Sequence, residues 1–385
     1  METDTLRAWL EVDYSLIPHN VKEIRRLMGS TPIMGIVKAD SYGLGAVSCT
    51  KALQACGIHT FAVATIEEAI ELRKAGIEDD ILILGSTPEA SFDKLAQYSL
   101  IQTILSLPYA KKMSAWGKEH GGTLRGHVKA DTGMNRIGIQ YQDDIKDYDA
   151  IKEAYELDNL KVEGIFSHFP VSDDLEEDSK AFTTHQMELF EELIARLKAD
   201  GIDPGLRHIQ NSYGILNYGD LGYDFCRPGL LYMGVTSDDA IPIVSDPDFK
   251  PIASLKAKVS MVKTIPAGAT VSYGRHYQAD SPRRIASLTI GYADGLPRAC
   301  SNKNLEVLIR GHRVPLAGNI CMDQCMADVT GYDDIEAGDI VTLIGTDGNE
   351  TVTVDEISRK AGTINNETLT RFTKRVPRLD VSDRQ

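Results

Sequence analysis

Short apolar runs alternate with amphipathic stretches over residues 1–240. The runs are PIMGIVK (32–38), TFAVAT (60–65), DILILG (80–85), LIQTIL (100–105), TLRGHVK (123–129), KVEGIFS (161–167), LRHIQNS (206–212) and YDFCRPG (223–229). Between them, ATIEEAIELRKAG (64–76) places Ile66, Ala69, Ile70 and Leu72 on one helical face and closes on Gly76 as a C-cap. HQMELFEELIARLKADG (185–201) follows the same rule and also ends in glycine. Eight short strands separated by helices predict a (β/α)8 barrel of the TIM type. The rival, a doubly wound sheet, expects a glycine-rich dinucleotide turn after its first strand, and that turn is absent.

Near residue 245 the pattern changes. VSDPDFKPI reads as a linker, and ASLKAKVSMVKTI, ATVSYG, RIASLTIGY, LEVLIRG, HRVPLAG, CMADVT, DIVTLIG and ETVTV follow. These runs alternate, carry β-branched residues and are parted by Gly, Pro and Asp turns, which predicts strands. Two short helical patterns, VDEISRKAG and NNETLTRFTKR, close the chain. The reading is an α/β chain of two domains. A barrel occupies residues 1–244, its first residues being candidates to pair with the β domain, and a mostly β domain occupies residues 245–385.

Composition narrows the class. The 385 residues carry a net charge of −15 and are 42% hydrophobic. That balance argues against a nucleic-acid or anionic-membrane partner and for an enzyme acting on small molecules. No apolar run reaches the roughly 18–20 residues of a spanning helix. The N-terminus METDTLRAWLEVDY lacks the basic-then-apolar layout of a signal peptide. Cys49, Cys56, Cys226, Cys300, Cys321 and Cys325 are scattered and read as reduced thiols of a cytoplasmic protein. Cys321 and Cys325 have no second Cys/His pair beside them, so no metal is expected.

Barrel chemistry sits at the C-terminal ends of the strands. There the chain places Lys38, then Lys129 with Arg136 after it, then Ser167-His168, Asn211-Ser212 and Arg227-Pro228-Gly229. A lysine ending an apolar strand loses hydration, its pKa falls, and the neutral amine can form a Schiff base. Taken singly, Lys38 is also readable as a snorkelling lysine, Arg227 as one member of an ion pair, His168 as a core histidine and the turns as polar loops. Their recurrence at successive strand ends favours a site, with phosphate suited to the late turns at Ser212 and Gly229.

IVKADSYGLG, KADTGMNRIG, SHFPVSDD, NSYGIL, CRPGLLYMG, VSYGRHY, IGYADGLPR and CMDQCM run in this order along nearly the whole chain. In that order they resemble the alanine racemases, fold-type III enzymes using pyridoxal phosphate. The resemblance implies that Lys38 carries the cofactor covalently and acts as one base. Tyr273 would be the base on the opposite face, supplied by the partner subunit of a homodimer with composite sites. Tyr42, Ser212 and Gly229, with Asn211 beside them, would hold the phosphate. Arg227 would face the pyridine nitrogen, with His168 adjacent. Arg136 would meet the phenolic oxygen and sit near the substrate carboxylate, which the Met322 N–H would bind. Tyr292 would narrow the entrance, with Arg298 and Asp173 further out. Lys129 matches a lysine that is carbamylated in relatives.

The chemistry suits these residue types. The cofactor is an electron sink for the Cα carbanion, and racemisation needs a base on each face. Lysine and tyrosine have reference pKa values of about 10, so both need environmental shifts. An arginine at the pyridine nitrogen stays protonated, which weakens the sink and disfavours transamination.

Two departures from the family pattern carry expectations. Where alanine racemases read Gly-Thr-Ile-Asn-Tyr, this chain reads Gly362-Thr363-Ile364-Asn365-Asn366. Asn366 is smaller and offers both a donor and an acceptor. It implies room and a partner for a hydroxyl, hence L-serine as a substrate beside L-alanine. The chain resembles most the racemase domain of vancomycin-resistance serine racemases, which implies D-amino acids for peptidoglycan precursors; such racemases often have a membrane-anchored parent, and the sequence leaves both a soluble cytoplasmic enzyme and the cytoplasmic domain of such a parent open. The second departure is Asn319, where many relatives place arginine at the mouth of the site, so entrance charge is expected to differ. Rival readings are a strict alanine racemase, a non-catalytic pyridoxal-phosphate-binding barrel and a fold-type III decarboxylase.

Overall fold

A computed structural model describes residues 3–383. The barrel strands are β2 (Gly35–Ile36), β3 (Thr60–Val63), β4 (Asp80–Ile83), β5 (Ile101–Ile104), β6 (Leu124–Asp131), β8 (Leu160–Phe166) and β9 (Leu206–His208), each parallel to the next. A short β7 (Ile139–Gln140) pairs with β6. Residues 223–229 complete the circle. Asp224 N–H donates to Arg207 O and Arg227 N–H to Gln210 O on one side, and on the other Met34 N–H donates to Cys226 O. The barrel thus closes in the order the apolar runs predict. The runs are almost wholly buried because helices cover the outside and side chains fill the inside.

The helix Ile66–Lys74 starts on a capping box, with Thr65 accepting from the Glu68 N–H and Glu68 reaching back. The helix predicted from residue 185 starts earlier, at Glu177, and runs to Ala199. Its first turns are polar, so apolar periodicity cannot mark them, while Glu177 and Asp178 suit the positive end of the helix dipole.

The second sheet is built on β10 (Ala253–Ile265), whose Leu255, Ala257 and Val259 alternate inward. β1 (Ala8–Val12) pairs antiparallel with β10 and parallel with the last strand, Arg378–Asp380. The first described strand therefore belongs to the far sheet, and the chain enters the barrel through the helix Ile17–Met28. The remaining β-domain strands match the alternating runs, with two corrections. ATVSYG forms a ladder only over Thr270–Val271, and RIASLTIGY only over Arg283–Leu288. Tyr273 and Tyr292 lie in one-turn 3₁₀ segments beyond them. Ser272 stops the first ladder because its backbone turns to φ +68, ψ −179, a region that glycine alone occupies readily.

Candidate active site

A cavity of about 430 Å³ opens at the C-terminal end of the barrel. Lys38, Tyr42, Lys129, Arg136, His168, Asn211, Ser212, Arg227, Gly229 and Asn366 all line it. Ten residues drawn from six separate stretches of sequence are thereby gathered into one space.

Lys38 stands just past the β2 ladder. After it, Ala39, Asp40, Ser41 and Tyr42 take φ between +49 and +54, a full left-handed turn of non-glycine residues. Such a conformation costs roughly 1–2 kcal/mol per residue, so it must be held. Glu68 accepts from the Ala39 N–H at 2.7 Å, and Asp40 accepts from the Ala46 N–H at 2.7 Å. The turn brings the Tyr42 hydroxyl under Gly229, where a Cβ would lie 2.5 Å from that oxygen. The Gly229 N–H donates to Ser212 Oγ at 3.1 Å. Burial lowers the Lys38 pKa, and the charge of Arg136 adds to the effect.

The lining is strongly cationic. Lys129 is 2% exposed, donates to Ala130 O at 2.8 Å, and is pulled down to about 7 by burial. Arg227 donates to Ser167 O, Ile209 O and His168 Nδ1, and burial lowers it to about 9. It has no carboxylate partner among the described residues, which sets aside the ion-pair reading. A guanidinium only donates, so His168 Nδ1 accepts and its proton resides on Nε2. His168 is held neutral by burial and by the cations around it.

Asn211 both lines the cavity and holds it open. Its Oδ1 accepts from Gly214 N–H and Ser172 Oγ, and its amide donates to Phe169 O. Asn366 arrives from the β domain. Its neighbour Asn365 is fully buried and bonds to Thr236 O, Ser237 O and the carboxylate of Asp355, which plants the short helix Asn365–Thr370 against the barrel rim. The Asn366 Oδ1 is shielded and has no hydrogen-bond partner.

Tyr273, Met322 and Tyr292 do not line this cavity. They lie exposed on the β domain, at 73%, 52% and 37%. Their loops are laced together. Asn319 Nδ2 donates to Tyr273 O at 2.7 Å, Ser272 Oγ donates to Asn319 O, and the Tyr292 and Ala293 N–H groups donate to Cys321 O and Met322 O. Asn319 is itself buried, with Asn302 donating to its Oδ1. Asn319 brings no charge to the surface: its neutral amide faces inward and supports the Tyr273 loop. Arg298 is exposed and Asp173 half-buried.

Two residues absent from the sequence reading shape the floor. Phe166 stacks on His208 with centroids 4.8 Å apart, and Lys129 and Arg227 sit 5.6 and 5.4 Å from its ring. Both lie at strand ends already identified, Phe166 just before Ser167-His168 and His208 at the end of β9. Strand phase is the signal that could have found them.

The alanine racemase N-terminal domain model matches residues 12–237 and the C-terminal domain model residues 252–380. The chain is 39% identical to alanine racemase 1 of Clostridium acetobutylicum, covering 98% of this chain and 96% of that one. It is 40% identical to an amino-acid racemase of Enterococcus faecalis, over 96% of this chain and 51% of that longer protein. The alanine racemase of Clostridium difficile 630 superposes with a TM-score of 0.90 at 34% identity, covering 98% and 97% of the two chains. A histidine racemase of Leuconostoc mesenteroides superposes at 0.87 with 26% identity, over 98% and 99%. The cavity, the order of the residues lining it and both domain matches lead to one assignment: this chain belongs to the alanine racemase family of pyridoxal-phosphate-dependent amino-acid racemases.

Proposed function

We propose that this enzyme racemises L-serine as well as L-alanine, with pyridoxal phosphate linked covalently to Lys38 and a second base, Tyr273, reaching each site from the other subunit of a homodimer. The lining suits the cofactor. Lys38, Lys129, Arg136 and Arg227 bring four basic side chains to one cavity, two of them guanidiniums, which suits an anionic cofactor and a substrate carboxylate. Tyr42, Ser212 and Gly229 form a close cradle that a Cβ at residue 229 would fill. When bound, the cofactor supplies the carbonyl that joins the amino group and a ring that accepts electrons from the Cα–H bond.

The remaining work is done by the chain. Burial disfavours the ammonium of Lys38, so Nζ accepts a proton on one face of the substrate. Tyr273 acts from the other face. Arg136 binds the carboxylate side, with the Met322 N–H contributed alongside Tyr273. Arg227 stays a donor through its bonds to Ser167 O and Ile209 O and so does not protonate the pyridine nitrogen. His168, which lines the cavity, accepts from Arg227 at Nδ1 and carries its proton on Nε2.

The observation that carries serine is Asn366 in the cavity wall, where the family pattern places the larger tyrosine. The smaller side chain leaves room for a hydroxymethyl group, and an amide offers both a donor and an acceptor to a hydroxyl. The names of the alanine racemases above favour the second reading, alanine alone. Relative kcat/KM for L-serine and L-alanine, measured in the parent and in Asn366→Tyr, decides between them. We expect serine turnover in the parent and a serine/alanine ratio at least tenfold lower in the variant, about 1.4 kcal/mol of discrimination. An unchanged ratio rejects the role of Asn366. Absent serine turnover in the parent rejects the activity itself.

The six free cysteines and the acidic surface support action in the cytoplasm. No helix among the described residues is long and apolar enough to cross a membrane. Supply of D-amino acids to peptidoglycan precursors, as in vancomycin resistance, is the cellular role that this activity would serve.

A further inference from the structure

Barrel interiors are filled mostly by aliphatic side chains. Here two imidazoles occupy the layer beneath the cavity. His127 points inward from β6 two residues before Lys129, and His208 ends β9. His208 Nδ1 lies 2.7 Å from Arg227 Nη1, and His208 Nε2 lies 3.0 Å from His127 Nδ1. His127 Nε2 is buried without a partner. Gly164 leaves the space for this, since a Cβ there would come within 2.9 Å of the His127 ring.

The direction of every hydrogen bond in this chain follows from one fact. A guanidinium donates and never accepts. His208 Nδ1 must therefore accept, and its proton resides on Nε2. That N–H donates to His127 Nδ1, so the His127 proton also resides on Nε2, where nothing receives it. The other tautomer of His208 would set an Nδ1–H against an Arg227 N–H at 2.7 Å. Both rings are kept neutral by burial, His127 at about 4 and His208 well below the ordinary histidine value, with the charge of Arg227 adding in each case.

We infer that His127 is a positioning residue for the reaction: its Nδ1 accepts the Nε2–H that Arg227 imposes on His208, which holds the His208 ring with its Nδ1 lone pair on Arg227 and fixes the guanidinium toward the cavity. The consequence for turnover rests on the reading of Arg227 given above, whereas the tautomer lock does not. The orphaned Nε2–H is the sign that the pair is not there for packing. A leucine at 127 would fill the layer without leaving a donor of its own unpaired, though it would strip His208 of its acceptor.

Neutron diffraction from crystals of the cofactor-loaded enzyme tests the lock. Deuterons are expected on Nε2 of His127 and of His208, and on neither Nδ1; a deuteron on Nδ1 of either ring overturns it. Kinetics test the consequence. His127→Leu removes the acceptor, while His127→Asn keeps one near the place of Nδ1. We expect kcat to fall about tenfold in His127→Leu, with KM within about twofold and the thermal midpoint little changed, and to recover most of the way in His127→Asn. Equal losses in both variants, or a loss that only tracks a lowered midpoint, overturn the positioning role. Arg227→Gln separates this idea from the reading beneath it. If Arg227→Gln is impaired and His127→Leu is not, the positioning role is wrong. If neither is impaired, the reading of Arg227 is wrong as well.

Discussion

Lys129 shows how far burial alone can change a residue. It is nearly inaccessible, has one carbonyl partner, and lies among Arg227, Arg136 and only one nearby carboxylate, Asp131. Its ordinary pKa is about 10.4, and burial brings it to about 7. Above that pH the amine is mostly neutral and able to add CO2. The product is an anion, which would give Arg227 a negative neighbour that no carboxylate among the described residues provides. We expect ¹³C-labelled bicarbonate to produce a carbamate resonance in the enzyme. It should grow as pH rises through about 7 and vanish in Lys129→Gln. A pH-independent signal, or one that survives in the variant, would remove Lys129 as its source. Lys129 and Lys38 were both legible as unusual from their strand ends. The orphaned oxygen of Asn366 was not, because satisfaction of a polar atom depends on neighbours brought from elsewhere in the chain.

At the scale of elements, the loops of the β domain depend on buried charge. Asp294, in the IGYADG turn, is fully buried, accepts from Arg7 and from the Gly291 N–H at 2.9 Å, and lies 3.3 Å from the Arg375 guanidinium. It ties the turn bearing Tyr292 to the residue before β1 and to the last segment of the chain. Removing its charge leaves Arg7 with only the Thr289 carbonyl, while Arg375 keeps Asp323 at 2.6 Å. Asp294→Asn should destabilise the protein by about 2–3 kcal/mol, less than a wholly buried pair because both arginines are partly exposed. A lowered thermal midpoint in calorimetry checks this, and an unchanged one means that the arginines find other acceptors. Helix ends and barrel strands were readable from periodicity and caps. The turns at Tyr273 and Tyr292 were read as strand because their residues alternate. Ser272 breaks the pattern through a backbone torsion that residue types do not encode.

The whole molecule is the scale of the second base. Asn366 travels from the β domain to its own barrel, whereas Tyr273 and Met322 remain on the surface of one chain. A racemase needs a base on each face of Cα, so the reading of Tyr273 as that base requires a second chain. Lys38→Ala and Tyr273→Phe subunits should each be nearly inactive alone. Mixed into verified heterodimers, they should regain activity through one complete site in two. No recovery would place the second base within the same chain.

The sequence by itself determined the architecture and the inventory of the site. Apolar period, caps and turn residues are local properties, and eight buried runs with helices between them admit few arrangements. Strand ends in a barrel converge, so Lys38, Lys129, His168, Ser212 and Arg227 could be placed together before any coordinate was known. Tertiary structure alone decided which groups are left without partners and which way each hydrogen bond runs. It showed Arg227 resting on carbonyls and imidazoles, Asn319 facing inward beneath Tyr273, and His208 set between Arg227 and His127. Those outcomes depend on distances between residues far apart in the chain, and no local pattern carries them.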